Sequence, residues 1–369
     1  MSTQAIHHRA SPASRSPRRT RRPGLLSWEL AAGFTRNLFR HRTQTDPVLE
    51  PLVAAWFATY RCNLRCSYCI LAEKGWTCGG QPELNTEDGV RLLRILRQDC
   101  PNLYLTGGEP MVRKDLDELL RAARSLDFAC VSMVSNMSLL HRRPELLDLI
   151  DNLVVSIDSL DEGACAAVIG APRRTAARIR ENIVAAAAVQ RDKGFRMAAN
   201  FVITRQSLGH AREVLDFCRE HGIRFTAGPE LSFDGHVVDG LREDPRYREL
   251  LDELIRDRRD PAVLDSGPYL EAIRDLPPFP CYPALTPRIS PMGGLYYPCR
   301  PVGGAEIDLL EAGSLAEAQR VGRQRHGPPP RCQGRCAMNC YLTPTLFLER
   351  PLALAWEHLR GELMPGPSC

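Results

Sequence analysis

The chain has 369 residues, of which 25% are charged and 44% hydrophobic, as is typical of a globular protein with one large domain and a smaller appendage. The net charge is +4, but nine arginines and a single acid lie in the first 43 residues. The rest of the chain is therefore mildly acidic, and its charge argues against a nucleic-acid-binding surface. Apolar runs stay well below the roughly 18 residues of a transmembrane helix, so no membrane span is predicted.

The N-terminal segment, residues 1–23, is rich in Ser, Pro, Arg and His and is predicted to be a disordered basic tail. Arg21-Arg22 lies before Leu25-Leu26, but Glu29 and Arg36 interrupt the stretch that an export signal would keep apolar. We therefore expect the protein in the cytoplasm.

Amphipathic segments are predicted near both ends of the chain: an N-terminal helix and linker at residues 24–50, and a C-terminal tail at residues 346–369. Their apolar positions are Leu26, Leu30, Phe34 and Leu38 in the first segment and Leu352, Trp356 and Leu359 in the second. Such segments either pack on the protein body or attach peripherally to a membrane surface. The sequence leaves both alternatives open.

Strand and helix patterns alternate through residues 51–235, the predicted main domain. Strands are predicted at residues 53–60, 103–106, 130–135, 153–157, 197–203 and 223–226, and helices at 87–98, 116–125, 144–149, 175–191 and 209–221. Six βα repeats favour a parallel sheet, but they are too few for a closed eight-stranded barrel. The predicted fold class is therefore α/β, a partial (βα)6 TIM-like barrel, with chemistry at the carboxyl ends of its strands.

Three cysteines, Cys62, Cys66 and Cys69, follow the first predicted strand in a C-x3-C-x2-C run. Thiolates at this spacing can hold three irons of a [4Fe–4S] cluster, for which a ferredoxin would supply a fourth cysteine. No fourth cysteine lies at a usual offset, so one iron would stay open for a small molecule. A zinc knuckle or buried thiols are the alternative interpretation.

Polar residues and glycines follow the other predicted strands. They are Gly107, Gly108, Glu109 and Pro110 after the second, Ser135 and Asn136 after the third, Ser156 and Asp158 after the fourth, Arg205 after the fifth, and Glu230 and Asp234 after the sixth. Since these strand ends meet at one edge of a parallel sheet, the side chains are expected around one site. Glu230 and Asp234 are catalytic candidates by position only.

A second cysteine group follows a predicted helical linker at residues 236–275. It comprises Cys281, Cys299, Cys332, Cys336 and Cys340, within a predicted small cysteine-rich domain at residues 276–345. Four thiolates suit zinc and an iron–sulfur cluster equally well on spacing alone. Cys100, Cys130, Cys165 and Cys218 are expected in the core, and Cys78 and Cys369 are unassigned.

Together, the C-x3-C-x-aromatic-C run (Cys62, Cys66, Tyr68, Cys69) and the Gly-Gly-Glu-Pro motif resemble the radical S-adenosylmethionine (SAM) enzymes. The resemblance extends from residue 53 to about residue 340. It implies a [4Fe–4S] cluster whose open iron binds SAM, and a flavodoxin- or ferredoxin-type reductant. One-electron reduction would then cleave SAM to methionine and a 5′-deoxyadenosyl radical.

The same resemblance implies roles for individual residues. Tyr68 is expected against the adenine, and Gly107-Gly108-Glu109-Pro110 at the SAM ammonium group. Short polar residues (Ser135, Asn136, Ser156 and Asp158) are expected at the SAM carboxylate or ribose. Arg205 would meet the carboxylate, or would be an ordinary surface arginine.

The second cysteine group resembles the SPASM/twitch domains attached to many radical SAM enzymes. Cys281, Gly294 and Cys299 match the opening C-x9–15-G-x4-C pattern, whereas Cys332, Cys336 and Cys340 depart from the later SPASM pattern and lack one of its cysteines. The resemblance implies one auxiliary [4Fe–4S] cluster, held by Cys281, Cys299 and one or two of the other three. Zinc is the alternative.

The sequence therefore predicts a radical SAM enzyme acting on an unidentified substrate. That substrate is a ribosomally made peptide, a lipid or lipophilic metabolite, or a small polar metabolite. The remote alternative is a non-catalytic protein that binds SAM or carries electrons.

Overall fold

The computed structural model describes residues 28–45, 47–301, 305–329 and 336–353. No helix in these ranges combines the length and apolar character needed to cross a membrane. The predicted basic tail, Leu26, Cys332, Trp356, Leu359 and Cys369 lie outside the described residues.

A sheet of nine strands organises the described residues. The strands are β1 (Val53–Thr59), β2 (Asn102–Gly107), β3 (Cys130–Ser135), β4 (Asn152–Ser156), β5 (Arg196–Ile203), β6 (Arg224–Pro229), β7 (Arg288–Ile289), β8 (Gly294–Tyr297) and β9 (Ala305–Asp308). Their order is β6-β5-β4-β3-β2-β1-β7-β8-β9, and β1 to β6 pair in parallel. This open parallel arrangement confirms the predicted partial barrel.

Helices connect the parallel strands and continue through the C-terminal part. They are α1 (Trp28–Thr43), α2 (Ile70–Glu73), α3 (Thr86–Asp99), α4 (Leu116–Ser125), α5 (Glu162–Ile169), α6 (Arg173–Lys193), α7 (Ala211–His221), α8 (Pro245–Arg256), α9 (Gly267–Asp275), α10 (Leu309–Ala312), α11 (Leu315–His326) and α12 (Asn339–Glu349). Side-chain caps begin several of them: Asn85 accepts a hydrogen bond from Asp88 N and Asp161 from Ala164 N, as N-cap residues do. The helix predicted at residues 144–149 is instead a 3₁₀ turn, Pro144–Asp148.

The C-terminal strands extend the sheet of the main domain. β7 pairs in parallel with β1, placing Arg288 opposite Ala55, and β7, β8 and β9 pair antiparallel. The part of the chain that carries the second cysteine group is therefore joined to β1, the strand that leads into the first.

α1 packs on the body of the protein. Its apolar residues Leu30, Phe34 and Leu38 lie against a cluster of buried side chains that includes Val53 and Ala55 of β1. Burying apolar surface in this way stabilises the helix on the fold. Three of the predicted apolar positions of this segment, Leu30, Phe34 and Leu38, are thus partly covered by protein.

The N-terminal and C-terminal helices also contact each other. The rings of Phe34 in α1 and Phe347 in α12 meet edge to face, with centroids 6.0 Å apart. His41 Nε2 lies 3.2 Å from Glu349 Oε1, which also accepts a hydrogen bond from Tyr282 Oη. These contacts favour packing on the protein body for α1, whereas Leu352, a predicted apolar position of the C-terminal segment, is 84% exposed.

Phe34 and Phe39 form a matched pair for testing the docking of α1, because Phe34 faces the core and Phe39 is 67% exposed. We expect Phe34→Ala to lower the free energy of unfolding by about 2 kcal/mol, since it removes partly buried apolar surface. Phe39→Ala should change it by less than about 0.5 kcal/mol. Denaturant unfolding of both variants measures this, and equal effects would contradict the docking of α1.

Candidate radical SAM site

The first cysteine group lies in the loop that leaves the carboxyl end of β1, here called the cluster loop (residues 60–69). Two backbone hydrogen bonds fasten it to α5: Arg65 N donates to Ile169 O at 3.0 Å and Ser67 N to Val168 O at 2.8 Å. Gly170 ends α5 with a φ of +60°, and a Cβ there would lie 2.7 Å from Arg65 O. The end of α5 therefore sets the path of the cluster loop.

The thiols of Cys62, Cys66 and Cys69 are all partly buried. Cys62 Sγ accepts hydrogen bonds from Leu64 N at 3.4 Å and from Asn136 Nδ2 at 3.7 Å. Burial raises the pKa of the Cys62 thiol to about 11 and raises that of Cys66 as well. N–H donors aimed at sulfur stabilise a thiolate, so these two hydrogen bonds offset part of the effect of burial on Cys62.

No group of three or more His, Cys, Asp and Glu side chains among the described residues is arranged to hold a single metal ion. A four-iron cluster holds its thiolates farther apart than a single ion does. The donor set of the cluster loop, three thiols on one short segment, fits such a cluster.

Gly107 and Gly108 press against the start of the cluster loop. Gly107 has a φ of +138°, and an added Cβ would lie 2.1 Å from Thr59 O; at Gly108 it would lie 2.2 Å from Arg61 O. Backbone hydrogen bonds from Gly108 N to Thr59 O (2.8 Å) and from Glu109 N to Arg61 O (2.9 Å) hold the two segments together. The glycines are therefore required by the protein's own backbone, whatever their part in binding a cofactor.

Glu109 is 1% exposed, and both of its carboxylate oxygens are held by the protein. Oε1 accepts from Met111 N at 3.0 Å and Ser135 Oγ at 3.1 Å, and Oε2 accepts from Asn136 N at 2.7 Å. Burial nevertheless raises the pKa of this carboxyl to about 7. Residues predicted at two strand ends, Glu109 after the second strand and Ser135 and Asn136 after the third, thus share one network that reaches Cys62.

A second buried carboxylate fixes the aromatic residue of the cysteine run. Tyr68 Oη donates to Asp158 Oδ2 at 2.7 Å, and Val202 N donates to Asp158 Oδ1 at 2.9 Å. Burial raises the pKa of Asp158 to about 6. This bond ties the cluster loop to the end of β4 and to β5.

The remaining predicted residues are less closely connected with this network. Pro110 begins a 3₁₀ turn, and Ser156 is partly buried opposite Asn200 in the pairing of β4 with β5. Arg205 is exposed, and its Nε donates to Gly240 O at 3.2 Å. Of the two catalytic candidates, Glu230 is partly buried, whereas Asp234 is exposed and accepts hydrogen bonds within its own turn.

Four of the five cysteines of the second group lie together. Cys299, Cys336 and Cys340 are buried in one cluster with Met338 and Tyr341, and Cys281 packs against it. The turn after β6 touches this cluster, because Ala337 N donates to Gly235 O at 2.9 Å. The fifth cysteine of the group, Cys332, lies outside the described residues.

Two buried arginines that sequence reasoning missed, Arg288 and Arg300, are 7% and 4% exposed. The Arg288 guanidinium lies 5.2 Å from the centroid of the Phe57 ring, and that of Arg300 lies 5.5 Å from it and 5.0 Å from the Phe233 ring. Such contacts contribute up to about 2 kcal/mol when desolvated, less than the cost of burying a charge. The sequence feature that could have indicated these two buried arginines is their place in a predicted hairpin whose other residues are mostly apolar.

Aromatic residues fill the space between the cluster loop and the C-terminal strands. The Tyr60 ring lies 5.0 Å from the Trp76 ring, and the hydroxyl groups of Tyr60 and Tyr296 contact each other. The Tyr60 side chain therefore joins the cluster loop to β8.

Comparison with known proteins agrees with this geometry: residues 56–218 match the model of the radical SAM superfamily. The matched residues are less than half of the chain. GTP 3′,8-cyclase from Mycobacterium sp. (strain KMS) is 30% identical over 183 residues, which are 48% of this chain and 51% of that protein. The chain thus spans about half the length of this curated relative.

Solved structures resemble most of the chain in fold. Streptococcus suis SuiB bound to precursor peptide SuiA matches with a TM-score of 0.58 and 20% identity, over 79% of this chain and 68% of that chain. Native anSMEcpe with bound AdoMet and Cp18Cys peptide matches with a TM-score of 0.55 and 13% identity, over 84% and 99%.

The contact of Gly108 with the cluster loop can be tested by adding one methyl group. We expect Gly108→Ala to destabilise the protein by about 1–3 kcal/mol or more, because its Cβ collides with backbone that cannot give way. Gly209→Ala is the matched control, since no atom lies within 4 Å of an added Cβ there. Thermal unfolding and iron content after reconstitution measure both variants; a stable, fully loaded Gly108→Ala protein would contradict this role.

Proposed function

We propose that the chain is a radical SAM enzyme, in which Cys62, Cys66 and Cys69 hold a [4Fe–4S] cluster that binds SAM. The observation that carries the proposal is the network from Cys62 through Asn136 to the buried Glu109, within a radical SAM domain. When bound, the cluster and SAM would supply a 5′-deoxyadenosyl radical on reduction by a flavodoxin- or ferredoxin-type partner.

The chain's own residues would bind and orient SAM. Glu109 offers a carboxylate in a dry position, where its attraction for an ammonium group is strongest. Asn136 donates to Cys62 Sγ and so orients that ligand. Asp158 fixes the Tyr68 ring through its hydroxyl group, which leaves the ring face for an adenine.

We extend the proposal to an auxiliary [4Fe–4S] cluster held by Cys281, Cys299 and Cys336 or Cys340. The proximity of these four residues in one buried cluster supports it. Zinc would use the same thiolates, but beside a radical SAM domain an iron–sulfur cluster has an additional use, accepting an electron or holding the substrate.

For the substrate we favour a peptide. Two of the matching structures, SuiB and anSMEcpe, are complexes with peptides. The lipid alternative rested on apolar faces at the two ends of the chain, and the face of α1 is partly covered by protein. A nucleotide, as in the GTP 3′,8-cyclase relative, is the second candidate.

SAM cleavage is the direct test. Anaerobically reconstituted protein given SAM and dithionite should form 5′-deoxyadenosine. A Cys62/Cys66/Cys69→Ala triple variant should form none, yet keep iron at the second cysteine group. Product from the triple variant would reject the assignment of the first site, and total loss of iron would reject an independent auxiliary cluster.

The affinity for SAM should depend on pH through Glu109. The carboxyl, with its pKa of about 7, must lose its proton to pair with the SAM ammonium group. Below that pH binding weakens, by up to about tenfold per unit, and above it the affinity levels off. Equilibrium binding between about pH 6 and 8 measures this.

Glu109→Gln is the control for this dependence. It removes the titrating group, so SAM should bind more weakly and with little variation over the same pH range. An unchanged slope in this variant would show that another group titrates.

A further inference from the structure

Arg288 and Arg300 occupy the space between the two proposed metal sites. Arg288 lies in β7, beside β1, and Arg300 directly follows Cys299. Both guanidinium groups lie within 5.5 Å of the centroid of the Phe57 ring. Two positive charges are thus buried near the same ring, and Phe57 precedes Cys62, the first cysteine of the cluster loop, by five residues.

The charge of Arg300 has no counter-ion among the described residues. Nε and Nη2 of Arg300 have no hydrogen-bond partner in the part of the chain that the structure describes, and no carboxylate there lies within ion-pair distance. Burial, and next the charge of Arg288, lower the pKa of Arg300. A guanidinium remains charged even so, and a buried charge without a partner is costly to the fold.

The neighbours of Arg300 show at which edge of the sheet its charge lies. Phe233 follows β6 and Phe57 is near the end of β1, so their rings lie at the carboxyl edge of the sheet, where the cluster loop also lies. Tyr60 of the cluster loop packs near the same Phe57 ring, with the two ring centroids 6.0 Å apart. A substrate reaching the radical SAM site must approach this edge.

We propose that Arg300, together with Arg288, binds an anionic group of the substrate, a carboxylate or a phosphate. The proposal rests on the proposed radical SAM function and narrows its substrate class to molecules that carry such a group. Planar guanidinium groups suit both anions, because their N–H donors can bind two oxygens at once.

Anion binding is testable without knowing the substrate. Thermal unfolding of the reconstituted protein is followed with increasing inorganic phosphate or acetate, at constant ionic strength in chloride. We expect one of these anions to raise the unfolding temperature of the wild type. The apparent affinity should fall about tenfold or more in Arg300→Gln and less in Arg300→Lys, because a charged hydrogen bond is lost only in the former.

Arg320→Gln is the control, since Arg320 is exposed and paired with Glu317; it should respond as the wild type does. Protection by phosphate alone indicates a phosphorylated substrate, and protection by acetate a carboxylate. Equal protection of Arg300→Gln and wild type, or no protection of the wild type by either anion, would overturn the proposal.

Iron content and SAM binding separate this role from two others. Arg300→Gln should keep the iron content and SAM affinity of the wild type. Loss of iron would mean that the charge of Arg300 balances the auxiliary cluster, and loss of SAM affinity would place Arg300 in the SAM site; either result overturns the proposal. A wild type that binds the anion but never cleaves SAM would instead reject the proposed enzyme.

Discussion

The close contact between the ends of β1 and β2 is the constraint on which the site depends. Gly107 and Gly108 approach Thr59 O and Arg61 O so closely that no side chain fits between them. The backbone hydrogen bonds of this contact set the direction of the cluster loop at one end, as α5 does at the other. A short loop fixed at both ends can present three thiols in one arrangement, which a loop anchored only at β1 could not do. Preorganisation of this kind lowers the entropic cost of assembling a metal site.

The same contact places Glu109, the next residue, in a buried position. A carboxylate there is costly, and the raised pKa expresses that cost. Three donors from the backbone and from Ser135 offset part of it, without a cation beside the group. An uncharged hydrogen-bond acceptor at position 109 would hold the local structure equally well. The hydrogen bonds do not fully offset the cost of burying the Glu109 carboxylate. Such a carboxylate is typical of a residue that binds a charged ligand, which agrees with the proposed binding of an ammonium group.

The parallel sheet and the residues at its strand ends were predictable because both follow local rules. The apolar runs indicated all six strands, and polar residues just beyond them indicated the site. Three other features were not predicted from the sequence. α5 lacks an amphipathic pattern, although Asp161 and Gly170 mark its two ends. The close approach of Gly107 to the Thr59 backbone, 48 residues earlier in the chain, was not predicted, and the part of the glycines in binding a cofactor stays a prediction. Arg288 and Arg300 resemble surface residues by type, and only the pairing of β7 with β1 brings Arg288 beside Phe57.

This pairing also changes how the two cysteine groups are related. The sequence predicts a small cysteine-rich domain at residues 276–345 and does not show how it contacts the barrel. A strand that pairs with β1, hydroxyl contact between Tyr60 and Tyr296, and the bond from Ala337 to Gly235 connect the two groups at three points. The Arg300 guanidinium lies in this region, between the Phe57 and Phe233 rings. A substrate held there would meet both proposed clusters without any domain movement, so its anionic group, rather than a closing domain, would determine which carbon faces the radical.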